Sequence, residues 1–166
     1  MKKIVLNVVR CLSLSVALIF ISPTMLDAQA GKVDFTGDWV LNAAKSVLPQ
    51  GGAGVQRLGG NSITIIQEIN LLTQTRMLRN GTSRVTKYYL DGKESVSTTG
   101  EGEIKSTAKW SADGKTLTIV TRTTINNNER ISTAVWNLID EKTLSIVITR
   151  RNQSGEVKAT MVYDKK

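Results

Sequence analysis

Turn-forming pairs recur along most of this chain at a pitch that suits strands and little else. Asn80-Gly81, Asp91-Gly92, Gly100-Glu101-Gly102, Asp113-Gly114, Asn126-Asn127-Asn128, Asp140-Glu141 and Ser154-Gly155 follow one another at intervals of roughly 9 to 14 residues, the spacing of all-β folds. Asn-Gly and Asp-Gly adopt the positive φ values that tight hairpin turns demand. Between the turns the chain is rich in Thr, Val, Ile, Leu and Tyr, side chains that fit a pleated, half-buried surface. No stretch after Gly60 sustains a helical apolar period over three turns, so helices are not expected there.

Alternation within the segments indicates one dry face and one wet face. Ile104, Ser106, Ala108 and Trp110 share a side, opposite Lys105, Thr107 and Lys109. Leu144, Ile146 and Ile148 alternate with Thr143, Ser145, Val147 and Thr149, and Val157, Ala159, Met161 and Tyr163 oppose Lys158 and Thr160. Such one-sided strands pair antiparallel. About ten are expected, near 35–42, 62–69, 71–79, 83–90, 93–99, 102–111, 116–125, 129–138, 143–151 and 157–163. The fold class is therefore all-β: sequential hairpins bury a single dry face best by curling into an antiparallel up-and-down β-barrel. A two-layer sandwich is the alternative. A membrane-spanning barrel needs an apolar exterior and aromatic girdles, whereas here one strand face is Lys, Thr and Ser, and the chain ends Asp164-Lys165-Lys166.

The first thirty residues read as an export signal. Lys2, Lys3 and Arg10 precede an apolar stretch from Cys11 to Ile21, and Ala28-Gln29-Ala30 offers small residues around one spacer, the pattern a signal peptidase accepts. The apolar run is too short to span a bilayer, which takes about 20 residues. An uncleaved membrane anchor is the alternative. Cleavage after Ala30 leaves one domain, residues 31–166, and places it in the periplasm or outside the cell. With the signal go three basic residues and one acid, which takes the net charge from +8 to +6, and the single Cys goes too. No disulfide can then hold the fold, so a continuous apolar core must.

The segment 42–60 separates the first two strands. Asn42-Ala43-Ala44-Lys45-Ser46-Val47-Leu48 is compatible with two helical turns capped by Asn42, and Pro49 with the glycines at 51, 52, 54, 59 and 60 stops them. A loop of this length in a compact domain is usually functional or disordered. At a barrel mouth it would serve as a lid, and otherwise as a surface loop.

Phe35-Thr36-Gly37-Asp38-Trp39 opens the domain, with Phe35, Gly37, Trp39 and Leu41 on one strand face. In this Gly-x-Trp the chain resembles the calycin barrels, that is, the lipocalins and intracellular fatty-acid-binding proteins. It is more similar still to small secreted bacterial lipocalin-like proteins. With those it shares the opening through Asn42 and Lys45-Ser46, the run from Tyr89 to Glu94, the run from Ala108 to Leu117, and the ending Val162-Tyr163-Asp164-Lys165. The resemblance implies a barrel that carries an apolar or amphipathic small molecule. Fatty-acid-binding proteins hold a ligand carboxylate with an Arg-x-Tyr on their final strand; the matching stretch here is Met161-Val162-Tyr163, which keeps the Tyr and lacks the Arg.

Candidate ligand contacts are Trp110, Trp136, Arg150, Met161 and Tyr163. The tryptophans line either a pocket or the core. Met161 and Tyr163 face the same way as Ala159, where small neighbours leave space. Arg150 continues the parity of Leu144, Ile146 and Ile148 near a strand end, so it either meets an anionic ligand group at the mouth or is a solvated arginine. Of Tyr88 and Tyr89, one faces inward.

Catalysis lacks its parts. With zero His there is no imidazole base and no His-type metal site. No Gly-x-Ser-x-Gly elbow, phosphate loop, calcium loop or carboxylate pairing is present. The chain is expected to be no enzyme and to need no cofactor or metal. Its bases are dispersed rather than interleaved with aromatics, which argues against nucleic acid and allows at most weak attraction to an anionic envelope or membrane surface. Two roles remain: a binding protein for a hydrophobic or amphipathic small molecule, and a structural or interaction module of the cell envelope with a filled barrel.

Overall fold

The computed structural model describes residues 31–48, 60–77, 81–99, 102–125, 128–152 and 155–166. The expected signal segment and most of the glycine-rich stretch, residues 49–59, lie outside the described residues. Among the described residues ten strands form: β1 (Gly37–Leu41), β2 (Ser62–Gln67), β3 (Leu71–Met77), β4 (Ser83–Tyr89), β5 (Glu94–Thr99), β6 (Gly102–Trp110), β7 (Thr116–Ile125), β8 (Asn128–Asp140), β9 (Thr143–Asn152) and β10 (Gly155–Lys165). Each begins and ends within a few residues of its expected place, because the turn pairs set the boundaries and β-branched residues fill the space between them.

All ten belong to one antiparallel sheet in the order β4-β3-β2-β1-β10-β9-β8-β7-β6-β5. Consecutive strands other than β4 and β5 are hydrogen-bonded neighbours, and the first strand pairs with the last, with Leu41 opposite Tyr163. The sheet curls until β4 and β5 face each other. These two share no ladder; the Tyr89 backbone N–H instead donates to the Ser95 hydroxyl at 3.0 Å. The result is a nearly closed barrel, which leaves only short edges.

The dry face turns inward. Trp39, Leu72, Leu117, Leu144, Met161 and Tyr163 are fully buried, as is Phe35, which precedes β1 and plugs one end. The plug is tied at several points. The Phe35 N–H donates to Gln67 Oε1 at 3.1 Å, Gln67 Nε2 donates to the Val33 carbonyl at 2.9 Å, and the Val33 N–H donates to the Gly114 carbonyl at 3.0 Å. The Trp39 indole N–H donates to the Phe35 carbonyl at 2.9 Å. Outside, Lys105 pairs with Glu103 at 3.0 Å and Arg151 with Glu156 at 3.2 Å, a charged exterior unlike the apolar band of a membrane barrel.

The segment after β1 differs from expectation. It makes a single turn instead of two helical ones. Asn42 Oδ1 caps that turn by accepting the Lys45 N–H at 3.0 Å. Val47 then exchanges two 2.8 Å backbone hydrogen bonds with Thr160. The short β1 leaves part of the β10 edge unpaired, and those open backbone groups capture the chain before a helix can propagate. Residues 42–48 therefore run along the barrel wall.

Asp164 holds this arrangement, accepting from Asn42 Nδ2 at 2.6 Å and from Lys45 Nζ at 3.0 Å. The Asn42 hydrogen bond first, and then Lys45, hold its carboxyl below the usual range. A carboxylate depressed in the folded state stabilises it above the ordinary pKa of about 3.9, and the contribution vanishes as pH falls through the lower folded value. Asp164→Asn should thus lower the melting temperature at neutral pH, with the gap to wild type closing in strong acid. Thermal melts across that range check this; a gap constant down to about pH 2 would show that the charge is irrelevant.

Candidate functional site: the inner wall

Strand register arranges the inward side chains in rows, each read across hydrogen-bonded neighbours. One row joins Trp110, Leu117, Trp136, Ile146 and Met161 from β6 to β10. The next holds Ala108, Ile119, Ala134, Ile148 and Ala159, small alternating with large. One step further the chemistry changes. Ser95, Ser106, Thr121, Ser132 and Arg150 stand side by side from β5 to β9, and beyond them come Thr123 and Arg130. Across the barrel, Ile63 lies beside Arg76 and Arg84, and Ile65 beside Gln74 and Thr86.

The wall thus has an apolar floor and a polar upper band. At the floor, Phe35 stacks on Trp110, with ring centroids 5.7 Å apart and planes 2° from parallel, and meets Trp136 edge-on at 5.8 Å. Such packing adds to the stability given by buried area. The indole N–H groups of Trp110 and Trp136 are buried with no acceptor among the described residues. In the polar band Ser95, Ser106 and Gln74 are buried, while Thr121, Ser132, Thr86 and Arg76 are half-buried. Ser106 and Thr121 share one hydrogen bond at 3.0 Å.

Charge divides sharply between the two faces. Arg76, Arg84, Arg130 and Arg150 occupy inward register positions. No Asp or Glu of the ten strands does: Asp38, Glu94, Glu103, Glu129, Glu156 and Asp164 take the outward parity, and Asp140 lies beyond a bulge after Leu138. Arg84, Arg130 and Arg150 are exposed at the rim. The Arg76 guanidinium lies close enough to Tyr88 and Tyr163 to favour both phenolates, yet burial dominates and pushes both phenols above their usual value. Both tyrosines therefore stay neutral donors at physiological pH.

The five sequence candidates do not form one cluster. Trp110 and Trp136 belong to the floor around Phe35. Trp110 also borders an outer groove of about 550 Å³ beside the 90–92 turn, where Lys32, Asp91 and Lys109 lie. Met161 and Tyr163 are fully buried on β10, with the Tyr163 hydroxyl 3.3 Å from the Gly60 carbonyl and 3.6 Å from Met161 Sδ. Arg150 stands apart in the hydroxyl row, between Ser132 and Val157. Tyr88 is the inward member of its pair and Tyr89 is exposed. Arg76, Arg84 and Arg130 escaped the sequence reading. Their parity with Leu72, Tyr88 and Trp136 was the available signal, but a charged residue ending an apolar alternation reads as solvated.

No family model matches the chain, and no curated protein matches it. Solved structures do. Zebrafish ileal bile acid-binding protein, crystallised with cholic acid, matches with a TM-score of 0.55 at 19% identity, over 80% of this chain and 98% of its own. A secretory abundant heat soluble protein from Ramazzottius varieornatus matches with a TM-score of 0.56 at 13% identity, over 80% of this chain and 95% of its own. At these identities the likeness is one of fold: the chain is an all-β antiparallel barrel of the kind found in fatty-acid-binding-protein-like calycins.

Proposed function

We propose that this chain is an exported binding protein that holds an apolar or amphipathic small molecule inside its barrel and catalyses no reaction. The observation that carries the reading is the row above the floor, where Ala108, Ala134 and Ala159 replace large side chains at alternate inward positions. An eight-stranded barrel is either filled by its own side chains or holds one small ligand, and diameter grows with strand number; ten strands with three alanines on the inner face favour room for a guest. The orphaned indole N–H groups of the floor support the same reading, since such donors are costly to bury and a guest oxygen would satisfy them. Met161 would then contact the apolar part of the guest, the indole N–H groups of Trp110 and Trp136 and the Tyr163 hydroxyl would meet its polar atoms near the floor, and Arg150 would meet a polar group at the rim. The zebrafish protein of like fold, crystallised with cholic acid, adds support by analogy. Export rests on the amino-terminal pattern of residues 1–30.

Native mass spectrometry of the full chain purified from its own host tests the proposal. A reproducible bound mass, lost in Ala134→Phe while dichroism remains close to wild type and melting falls by no more than about 10 °C, is the expected result. The added ring takes guest volume at a stability cost of about 1–3 kcal/mol. A clean ligand-free mass, together with no binding of a fluorescent fatty-acid analogue, points instead to the packed module.

A further inference from the structure

The outer wall carries a cleft of its own at the floor end of the barrel. β6 runs on for three residues after its last pair with β5, Thr107 opposite Glu94. The space beside that overhang is the groove of about 550 Å³ between Lys32, the 90–92 turn and residues 107–110. A second groove of about 340 Å³ lies against Ser111, Thr118 and Val120. Thr107, Lys109 and Trp110 wall both, so the two adjoin across the end of β6.

Charge in this trough is one-sided. The Lys32 ammonium stands 5.8 Å from the Trp110 ring centre, and Lys109 is exposed. Neither forms an ion pair among the described residues. The nearby carboxylates are engaged elsewhere. Asp91 accepts from the Lys93 ammonium at 2.6 Å and from the Lys93 N–H at 3.1 Å. Asp113 accepts from the Ser111 hydroxyl at 2.6 Å and from the Lys115 N–H at 3.1 Å, and Asp34 accepts from the Thr36 N–H at 2.8 Å. Glu94 acts on Lys105. Two uncompensated ammonium groups thus border one open cleft, and a cleft lined by one sign of charge concentrates ions of the other.

We propose that this trough binds an anionic glycan: a chain of sugar rings whose carboxylate or phosphate groups meet Lys32 and Lys109 while the rings lie along the end of β6. The site is outside the bore and stands whether or not the barrel holds a guest. Its walls set the hydroxyls of Thr107 and Thr118 beside the small apolar surfaces of Ala108 and Val120, the mixture that a sugar ring itself presents. A hydroxyl both donates and accepts, so sugar and threonine satisfy each other in either direction. A nucleic-acid strand needs open aromatic faces for its bases, whereas Trp110 has Phe35 stacked on it and Lys32 over its ring. An acidic peptide brings a backbone N–H at each residue, and the acceptors that would meet them, Asp91 and Asp113, are already engaged.

Calorimetry and tryptophan emission of the full chain, titrated with polygalacturonate, phosphorylated dextran and neutral dextran, test this. Trp110 is the least buried of the three tryptophans, so a shift in emission reports on the trough. The expected result is binding of at least one acidic polymer, weakened by salt, with neutral dextran at least about tenfold weaker. The tighter of the two acidic polymers identifies the charged group. Lys32→Gln with Lys109→Gln should weaken that polymer about tenfold and remove the emission shift. Lys142→Gln with Lys158→Gln takes the same charge from the β8–β9 turn and β10, and should change affinity less than about twofold. Lys109→Gln alone serves should the pair loosen the strap that carries Lys32. Equal losses in the two double variants would mean diffuse attraction and overturn the site. Polyglutamate or single-stranded DNA binding as tightly as the acidic polymers would overturn the glycan assignment, and binding of neither acidic polymer would overturn both. A bound mass inside the barrel is independent of all these results.

Discussion

Trp39→Ala should lower the melting temperature by roughly 10–20 °C, the loss expected when a large aromatic is truncated at about 3–5 kcal/mol in a domain of this size. Three contributions meet at this residue. The indole is fully buried, so its removal leaves a void that the surrounding strands cannot collapse into without breaking their ladders. Its N–H satisfies the Phe35 carbonyl at 2.9 Å and so anchors the plug that closes the barrel end. Its ring also lies 5.3 Å from the Lys165 ammonium, which links β1 to the end of β10. Trp110→Ala is the control. That ring stacks on Phe35 but is only half-buried, and the expected loss is about half as large. Urea unfolding of both variants measures the difference. Equal losses would mean that Trp39 is no more of a keystone than any other ring of the floor.

Glycine substitutions in two turns should separate backbone strain from steric collision. Gly92 has φ +84 with nothing near the site of an added Cβ; Gly114 has φ +68, and a Cβ there would stand 2.7 Å from the Gly31 carbonyl oxygen and 3.1 Å from Lys32 Cα. Gly92→Ala is expected to cost only the left-handed strain of about 1–2 kcal/mol. Gly114→Ala adds a collision with backbone atoms of the strap that leads into Phe35, and no side-chain rotation relieves it. The expected total is about 2–4 kcal/mol. The strap should also become sensitive to proteolysis, since the Val33 N–H loses its place on the Gly114 carbonyl. Similar unfolding midpoints for the two variants would show that the strap moves aside freely, and that the plug is held by Gln67 and Trp39 alone.

The ten strands and their order were legible in the sequence because hairpin turns are local. Asn, Asp and Gly act on the φ angles of the residues beside them, and a period of two needs only a few residues to declare itself. Parity also identified Met161 and Tyr163 as inward beside Ala159, and the structure buries all three. The choice between Tyr88 and Tyr89 was not legible, because both neighbours are the same residue and strand parity alone gives no sign; pairing with Leu72 turns Tyr88 inward. The helical reading of 42–48 failed for a related reason. A local cap at Asn42 competes with an open β10 edge more than a hundred residues away, and no sequence window contains both.

By itself, then, the amino-acid order determined that this chain forms paired strands with one dry face, since that follows from turn residues and alternation within each segment. Only the tertiary structure decided which side chains share a row. Register between strands is set by the sum of many pairings, so it alone brought Ser95, Ser106, Thr121 and Ser132 to one height with Arg150 beside them. Rows are properties of neighbours in space, and neighbours in space arise only when the sheet curls and its first strand meets its last.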